Sequence, residues 1–141
     1  MVSGVKKKAE LFCKLYNGTI TDTVPGKRVL KNGKFSTMAY IVTVEDRIFH
    51  IYFSRQWYYK YDGITIPLDK LIEATEQDAC IVIYVGDNEF WRHSTLWLEW
   101  AEQDKMILKN TMYDKVEAFI KRRNLALPPV RTGRKLEEYF P

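Results

Sequence analysis

Residues 36–62 read STMAYIVTVEDRIFHIYFSRQWYYKYD, and this stretch decides the fold. β-Branched and aromatic residues on both sides of the charged pair Glu45-Asp46 predict two strands joined by a tight turn. Alternate side chains of a strand point to opposite faces, and in the second strand both sets are largely apolar: Phe49, Ile51 and Phe53 on one face, Ile48, His50 and Tyr52 on the other. A strand covered on both faces is predicted to be central in its sheet.

The flanking sequence predicts further elements. Before the central pair, apolar spacing predicts a helix up to about Tyr16, and β-branched residues predict a strand over 19–24 that resumes at 28–30. After it, ITIPLDKLIEATEQ predicts a short helix, and the continuous apolar run ACIVIYV at 79–85 predicts a strand buried on both faces. Two more helices are predicted, one from Ser94 or Thr95 to Gln103 and one over about 111–123.

These elements predict an α/β or α+β fold with one domain over residues 1–127. Its centre is a mixed sheet of about four strands, an antiparallel meander plus one further strand, with flanking helices. Residues 128–141, which begin at Pro128-Pro129 and carry several cations, are predicted to be a basic, flexible C-terminal tail.

Composition excludes several classes of protein. The chain has 141 residues, of which 46% are hydrophobic, and this is enough to bury one core. It lacks a secretory signal and an apolar run of about 20 residues, so we expect no membrane partner and a cytoplasmic, intracellular location. Cys13 and Cys80 are too few for a disulfide framework and are predicted to be reduced core residues. Many Tyr, Ile, Lys and Glu with few Gln are typical of a thermophilic source.

Charge is segregated along the chain. Residues 1–60 carry 11 Lys and Arg against 4 Asp and Glu, residues 61–104 carry 2 against 10, and residues 105–141 carry 9 against 4. The basic first and last parts suggest one positive face, and the acidic middle suggests an opposite face or a metal-ligand cluster. Solvated charges that mix in three dimensions are the alternative.

The segment Arg55-Gln56-Trp57-Tyr58-Tyr59-Lys60-Tyr61 combines aromatic faces with cations directly after the central strand. Single-stranded nucleic acid is held in this way, by rings that stack on bases and by cations that follow phosphates. The alternatives are that these rings pack against the helices or form a homodimer contact. With the basic helix 1 and the basic C-terminal segment, the candidate nucleic-acid-binding residues are Lys6, Lys7, Lys8, Arg55, Trp57, Tyr59, Lys60, Lys121, Arg122 and Arg123.

The usual catalytic motifs are absent, and the sequence leaves open whether the protein is an enzyme. It contains no phosphate-binding loop, no H-E-x-x-H and no G-x-S-x-G. His50 lies within a strand and is interpreted as a satisfied, half-buried side chain rather than a base; His93 is interpreted as a solvent-facing neighbour of a helix cap or as a site residue.

Carboxylates after buried strands are candidate Mg²⁺ ligands, because ligands often bind beyond the strand ends of an α/β sheet. The candidate metal ligands are Asp62, Asp69, Asp87 and Glu89. A turn rich in Gly, Asp and Asn also occurs without any function. No cofactor is expected unless the protein is a nuclease. A nuclease of this kind is expected to use Mg²⁺.

The predicted order of helix, three antiparallel strands, helix and strand, over about residues 5–85, resembles the core of the restriction-endonuclease-like nuclease superfamily, which includes archaeal junction resolvases and many restriction enzymes. In that family a helix-1 glutamate, an aspartate at the second strand and an acid-x-Lys pair on the third strand hold the metal. Glu10 matches the first and Asp46 lies near the second, so with Asp87 and Glu89 they are the catalytic candidates. The third strand has neither acid nor lysine at Ile51-Tyr52-Phe53. The resemblance therefore implies a domain that binds without cutting.

The sequence favours a nucleic-acid-binding protein without catalysis, whose partner is DNA or RNA. The alternatives are a metal-dependent nuclease with a divergent active site and a protein-interaction or homo-oligomerisation module, for which aromatic and Arg enrichment is typical. Salt dependence separates these functions, because phosphate contacts weaken steeply as salt is added.

Overall fold

The computed structural model describes residues 4–57, 62–110 and 115–141, apart from the side chains of Lys27 and Asn110. The chain forms an α/β domain with a mixed sheet and flanking helices. The helices are α1 (Gly4–Tyr16), α2 (Leu68–Glu76), α3 (Ser94–Gln103) and α4 (Pro129–Thr132), with 3-10 turns at Arg122–Asn124 and Leu136–Tyr139. The strands are β1 (Thr19–Val29), β2 (Phe35–Val44), β3 (Arg47–Ser54), β4 (Gly63–Pro67), β5 (Cys80–Val85), β6 (Asn88–His93), β7 (Ile107–Asn110) and β8 (Lys115–Lys121).

The strands form two sheets. The large sheet has the order β1-β2-β3-β5-β6, in which only β3 and β5 pair in parallel. The small sheet is antiparallel, with the order β4-β8-β7. The predicted meander and the added strand are therefore confirmed, but the predicted total of about four strands is too low because β4, β6, β7 and β8 were not recognised.

The large sheet is covered on both faces, as its sequence predicts. On one face, Phe49 and Ile51 of β3 pack with Phe12 of α1 in a cluster that also contains Cys80 and Trp91. On the other face, Tyr52 and the alternate residues of β5 pack against the small sheet, α2 and α3. All six residues of β5 are buried, which confirms the central strand predicted from ACIVIYV.

The predicted helix over 111–123 is wrong. Its described part is β8, which pairs with β4 from Gly63↔Lys121 to Pro67↔Glu117. The residues Val116, Phe119 and Ile120 have helical spacing, but Ala118 and Ile120 also alternate as in a strand, and both are fully or almost fully buried. Pairing with β4 satisfies the backbone hydrogen-bonding groups of this segment and outweighs the helical spacing of its apolar residues.

The C-terminal segment, predicted to be a flexible tail, packs on the large sheet. The Tyr139 ring lies 4.8 Å from that of Trp91, and the Phe140 ring lies 5.5 Å from that of Phe49. The Tyr139 hydroxyl donates a hydrogen bond to the carbonyl oxygen of Leu127. Residues 128–141 thus complete the α1 face of the core.

In the described residues, no helix has the length and apolar character needed to cross a membrane.

Both histidines are buried, and each has a structural contact. His50 Nε2 lies 2.7 Å from Gln77 Oε1, but the side chain is buried rather than half-buried, and its Nδ1 has no hydrogen-bond partner among the described residues. His93 is not solvent-facing: it is 1% exposed, and its Nδ1 accepts a hydrogen bond from the backbone N–H of Thr95. His93 is thus the N-cap of α3, a position that the sequence assigned to Ser94 or Thr95.

Candidate functional site

A cleft of about 400 Å³ lies at the carboxyl ends of β3 and β5, between α1, the β5–β6 turn and the C-terminal segment. We call it the strand-end cleft. Its charged side chains are Asp87, Glu89, Arg122 and Arg131, and exposed apolar residues such as Leu11 and Val130 form its walls. Ligands of α/β sheets often bind at this edge, since β3 and β5 are parallel and end together.

Glu89 forms the centre of a hydrogen-bond network at the floor of the cleft. Its carboxylate accepts hydrogen bonds from the Tyr16 hydroxyl at 2.6 Å, from the Tyr84 hydroxyl at 2.8 Å and from the Trp91 indole N–H at 2.7 Å. Burial, together with the Glu89 charge, raises the pKa of both tyrosines, so that their hydroxyls stay protonated and donate.

This network ties α1 to the sheet, because Tyr16 ends α1 while Tyr84 and Trp91 lie on β5 and β6. A carboxylate that already accepts three hydrogen bonds has little acceptor capacity left for a metal ion. The arrangement therefore favours a structural role for Glu89 over the catalytic or metal-binding role predicted from its position.

Asp87 lies in the β5–β6 turn and is fully exposed. Its Oδ1 is 3.1 Å from the ammonium group of Lys8, which also lies 5.5 Å from the centre of the Tyr84 ring. Lys8 and Asp87 thus neutralise each other in part. The donors to Glu89 are neutral and leave its charge in place, so the cleft also carries the cations of Arg122 and Arg131 and the negative charge of Glu89.

Arg122 is held by stacking on Trp57. The guanidinium carbon lies 4.9 Å from the centre of the indole ring, and that ring also makes an edge-to-face contact with Phe90 at 5.1 Å. The backbone N–H of Arg122 donates to the carbonyl oxygen of Asp62. A guanidinium over an aromatic ring keeps its N–H groups in its own plane, where they are available for hydrogen bonds.

Trp57 is half-buried and packs against the core, so it is a support for Arg122 rather than the freely exposed stacking platform that the sequence suggests. Arg55 is exposed, and its backbone carbonyl lies beside Gly86 in the β5–β6 turn. Tyr59 and Lys60, the other aromatic-cluster candidates, lie outside the described residues.

The remaining basic candidates differ in their exposure. Lys6 and Lys7 are exposed on α1, and Arg123 is exposed next to Arg122, whereas Lys121 is half-buried at the end of β8. The structure thus brings Lys8, Trp57, Asp87, Glu89 and Arg122 to one edge of the sheet, from four separate parts of the chain.

The other acidic candidates do not join this cleft as a cluster. Asp46 lies in the β2–β3 turn, at the opposite end of β3, and Glu10 is exposed on α1. Asp69 is in the first turn of α2 and lines a different groove, and the side chain of Asp62 is exposed. Across residues 4–57, 62–110 and 115–141, no three His, Cys, Asp or Glu side chains lie close enough together to hold a metal ion.

Sequence reasoning did not identify the partners of Glu89. Tyr16 and Trp91 are far from each other in the chain, and their aromatic character predicts only burial. Arg131 carried a weak signal, as one cation of a segment expected to be flexible. Its place at the cleft depends on the packing of Tyr139 and Phe140, which fixes the path of the C-terminal segment.

No protein-family model matches the chain. A search of curated proteins also found no similar sequence.

Proposed function

We propose that the protein binds nucleic acid at the strand-end cleft, through phosphate contacts of Arg122 and Arg131 and without catalysis of its own. One observation supports this function most directly: two exposed arginines from separate elements meet at a cleft whose own carboxylates are already engaged. Arginine side chains bind phosphate through planar, bidentate hydrogen bonds.

Further exposed cations support a backbone-tracking surface. Arg55 lies by the β5–β6 turn, Arg123 follows Arg122, and Lys6 and Lys7 lie on α1. Contacts of this kind position a strand without reading its sequence. The apolar walls of the cleft, among them Leu11 and Val130, offer surface for an unpaired base, so we favour a single strand over a duplex.

The order of elements supports a distant relation to the restriction-endonuclease-like superfamily as part of this proposal. A helix, three antiparallel strands, a helix and a strand parallel to the third strand occur in the predicted order, with β4 inserted before α2. Ile51, Tyr52 and Phe53 occupy the third-strand positions, where the family carries its acid and lysine. Binding without cleavage is the function that this chain supports.

Fluorescence anisotropy of labelled single-stranded and duplex oligonucleotides tests the proposal. We expect single-strand binding that weakens steeply with salt, by roughly 0.7 logarithmic units of affinity per logarithmic unit of salt for each phosphate contacted. Addition of Mg²⁺ or Mn²⁺ should produce no cleavage. Cutting in the presence of metal would instead indicate a nuclease, and salt-independent self-association without nucleic-acid binding would indicate an oligomerisation module.

A further inference from the structure

A second cavity, of about 120 Å³, lies at the carboxyl end of β6, between the first turn of α3 and the C-terminal segment. The strand-end cleft instead takes in the amino end of β6, and the two sites share no lining residue. Two arginines from different parts of the chain line this cavity, Arg92 of β6 and Arg134 after α4. We call it the arginine pocket.

Arg92 is a half-buried cation without an anionic partner among the described residues. Its guanidinium carbon lies 4.4 Å from the centre of the Trp100 ring, and its Nε–H is buried with no hydrogen-bond partner in the described parts of the chain. Because that N–H is buried, the terminal N–H groups of the guanidinium are the donors that a ligand can reach. A partly buried charge without a counter-ion destabilises the folded state, so Arg92 needs an explanation other than packing.

Arg134 adds a second positive charge to the same cavity. It is exposed, and within the described ranges no carboxylate pairs with it either. Burial lowers the pKa of Arg92, and the charge of Arg134 lowers it further, because the two cations repel each other. An anion bound between the two guanidiniums would remove this repulsion and would give Arg92 the partner that it lacks.

The other groups at the arginine pocket leave it positive. Among the described residues that line it, Glu138 has the only carboxylate side chain, and its Oε2 accepts a hydrogen bond from the backbone N–H of Lys135 at 2.7 Å. Two cations thus stand against one carboxylate that is already engaged. The first turn of α3 borders the pocket through Leu96, and the N-terminus of a helix favours an anion.

The size of the pocket and its two arginines together select the ligand group. A volume of about 120 Å³ is well below the roughly 300 Å³ at which a pocket begins to enclose a drug-sized ligand, so only one small group enters. One guanidinium fork already matches the two oxygens and single charge of a carboxylate. A phosphate group has more oxygens and carries up to two charges, so it can engage both guanidiniums.

We propose that the arginine pocket binds one phosphate group between the guanidiniums of Arg92 and Arg134, with the rest of the ligand outside the cavity. This site does not depend on nucleic-acid binding at the strand-end cleft. A free phosphorylated small molecule and a backbone phosphate of a bound strand share this chemistry.

Titration of the full chain with inorganic phosphate at constant ionic strength, followed by heteronuclear NMR, tests the site. We expect a Kd on the order of 1 mM, with shifts at Leu96 and at the indole N–H of Trp100. Arg134→Gln and Arg92→Gln should each weaken phosphate binding by about tenfold, since each removes one of two charge-assisted partners. Arg134 is exposed, so its variant keeps the core intact. Acetate should bind at least about tenfold more weakly than phosphate.

Lys135→Gln is the matched control. It removes the same charge from the next residue, which is exposed and does not line the pocket, so phosphate binding should change by less than about twofold. Four results would overturn the proposal: no shifts at about 20 mM phosphate, equal phosphate binding by the native chain and Arg134→Gln, equal binding of acetate and phosphate, or shifts confined to the strand-end cleft.

Single-strand binding by Arg134→Gln then separates the two sources of the phosphate. A salt slope about 0.7 lower than that of the native chain shows that the phosphate belongs to the strand, and an unchanged slope shows that it belongs to a free small molecule. If the native chain binds phosphate at the arginine pocket but binds no strand, the function proposed for the strand-end cleft fails and this site stands.

Discussion

At the scale of single residues, the same side-chain type has different roles at neighbouring positions. Asp87 and Glu89 lie two residues apart and look equivalent in the sequence, yet Asp87 is exposed with Lys8 as its partner, while Glu89 accepts three hydrogen bonds. The difference comes from their positions: Glu89 lies on β6 and points to the face of the sheet that α1 covers, whereas Asp87 lies in the turn before β6. The sequence predicted both as site residues and had no means of separating them.

Glu89→Ala tests the structural role of this carboxylate. It leaves the hydroxyls of Tyr16 and Tyr84 and the indole N–H of Trp91 without their acceptor, so we expect the free energy of unfolding to fall by about 3 kcal/mol. Urea denaturation measures this. Asp87→Ala is the matched control and should leave stability close to that of the native chain. Equal stability of the two variants would contradict the network.

His50 predicts a pH dependence of stability. Burial lowers its pKa from the ordinary value of 6.5, so protonation favours the unfolded chain. The contribution of neutral His50 to the free energy of unfolding is therefore fully present above pH 6.5. It is lost as the pH falls below this value, with a limiting slope of about 1.4 kcal/mol per pH unit. Urea titrations between pH 8 and 5 measure the slope. His50→Gln should flatten it; an unchanged slope in that variant would assign the effect to another group.

At the scale of elements, strands buried on both faces are predicted well and strands of the small sheet poorly. The segments of β3 and β5 are short, rich in β-branched and aromatic residues and followed or preceded by turn residues, which favours buried strands over helices. The segment Lys115–Lys121 has apolar residues compatible with both periods, and only its pairing with β4 decides between them. Such pairing depends on residues that are distant in the sequence, so a short stretch of sequence does not reveal it.

Gly63→Ala tests the β4–β8 pairing. A Cβ at Gly63 would meet the carbonyl oxygen of Ile120 and the ring of Phe119, and a backbone oxygen in a paired strand cannot give way. We expect a loss of about 3 kcal/mol in the free energy of unfolding. Gly33→Ala is the control: its Cβ would meet no atom within 4 Å, so only its left-handed φ of +81° costs stability, by about 1 kcal/mol. The reverse ranking would contradict the pairing.

Truncation tests whether the C-terminal segment belongs to the core. Removal of residues 136–141 takes away the rings of Tyr139 and Phe140 and uncovers Trp91, so we expect a loss of about 4 kcal/mol, comparable to a large aromatic truncation. Differential scanning calorimetry measures it. Removal of Pro141 alone, which is exposed, should have little effect. A truncated chain as stable as the full one would restore the prediction of a flexible tail.

At the scale of the whole molecule, charge segregation along the chain does not become simple segregation in space. The basic first part contributes Lys8 and the basic last part contributes Arg122 and Arg131, but the acidic middle places Asp87 and Glu89 between them. The sequence predicted a positive face from the basic parts and assigned the acidic middle to an opposite face or a metal-ligand cluster. In the structure, Asp87 pairs with Lys8, and Glu89 accepts hydrogen bonds from Tyr16, Tyr84 and Trp91.

The measurement that tests this account most directly is the salt dependence of single-strand binding by two matched double variants. Arg122→Ala with Arg131→Ala removes two cations from the strand-end cleft; Lys31→Ala with Lys34→Ala removes two exposed cations from the β1–β2 hairpin. The structure describes all four side chains, and none of them belongs to the buried core.

We predict that the arginine variant loses affinity and that its salt slope falls by about 1.4, the equivalent of two single-strand phosphate contacts, while the lysine variant keeps the native slope. Equal slopes for the two variants, or no binding by the native chain at low salt, would contradict nucleic-acid binding at the strand-end cleft.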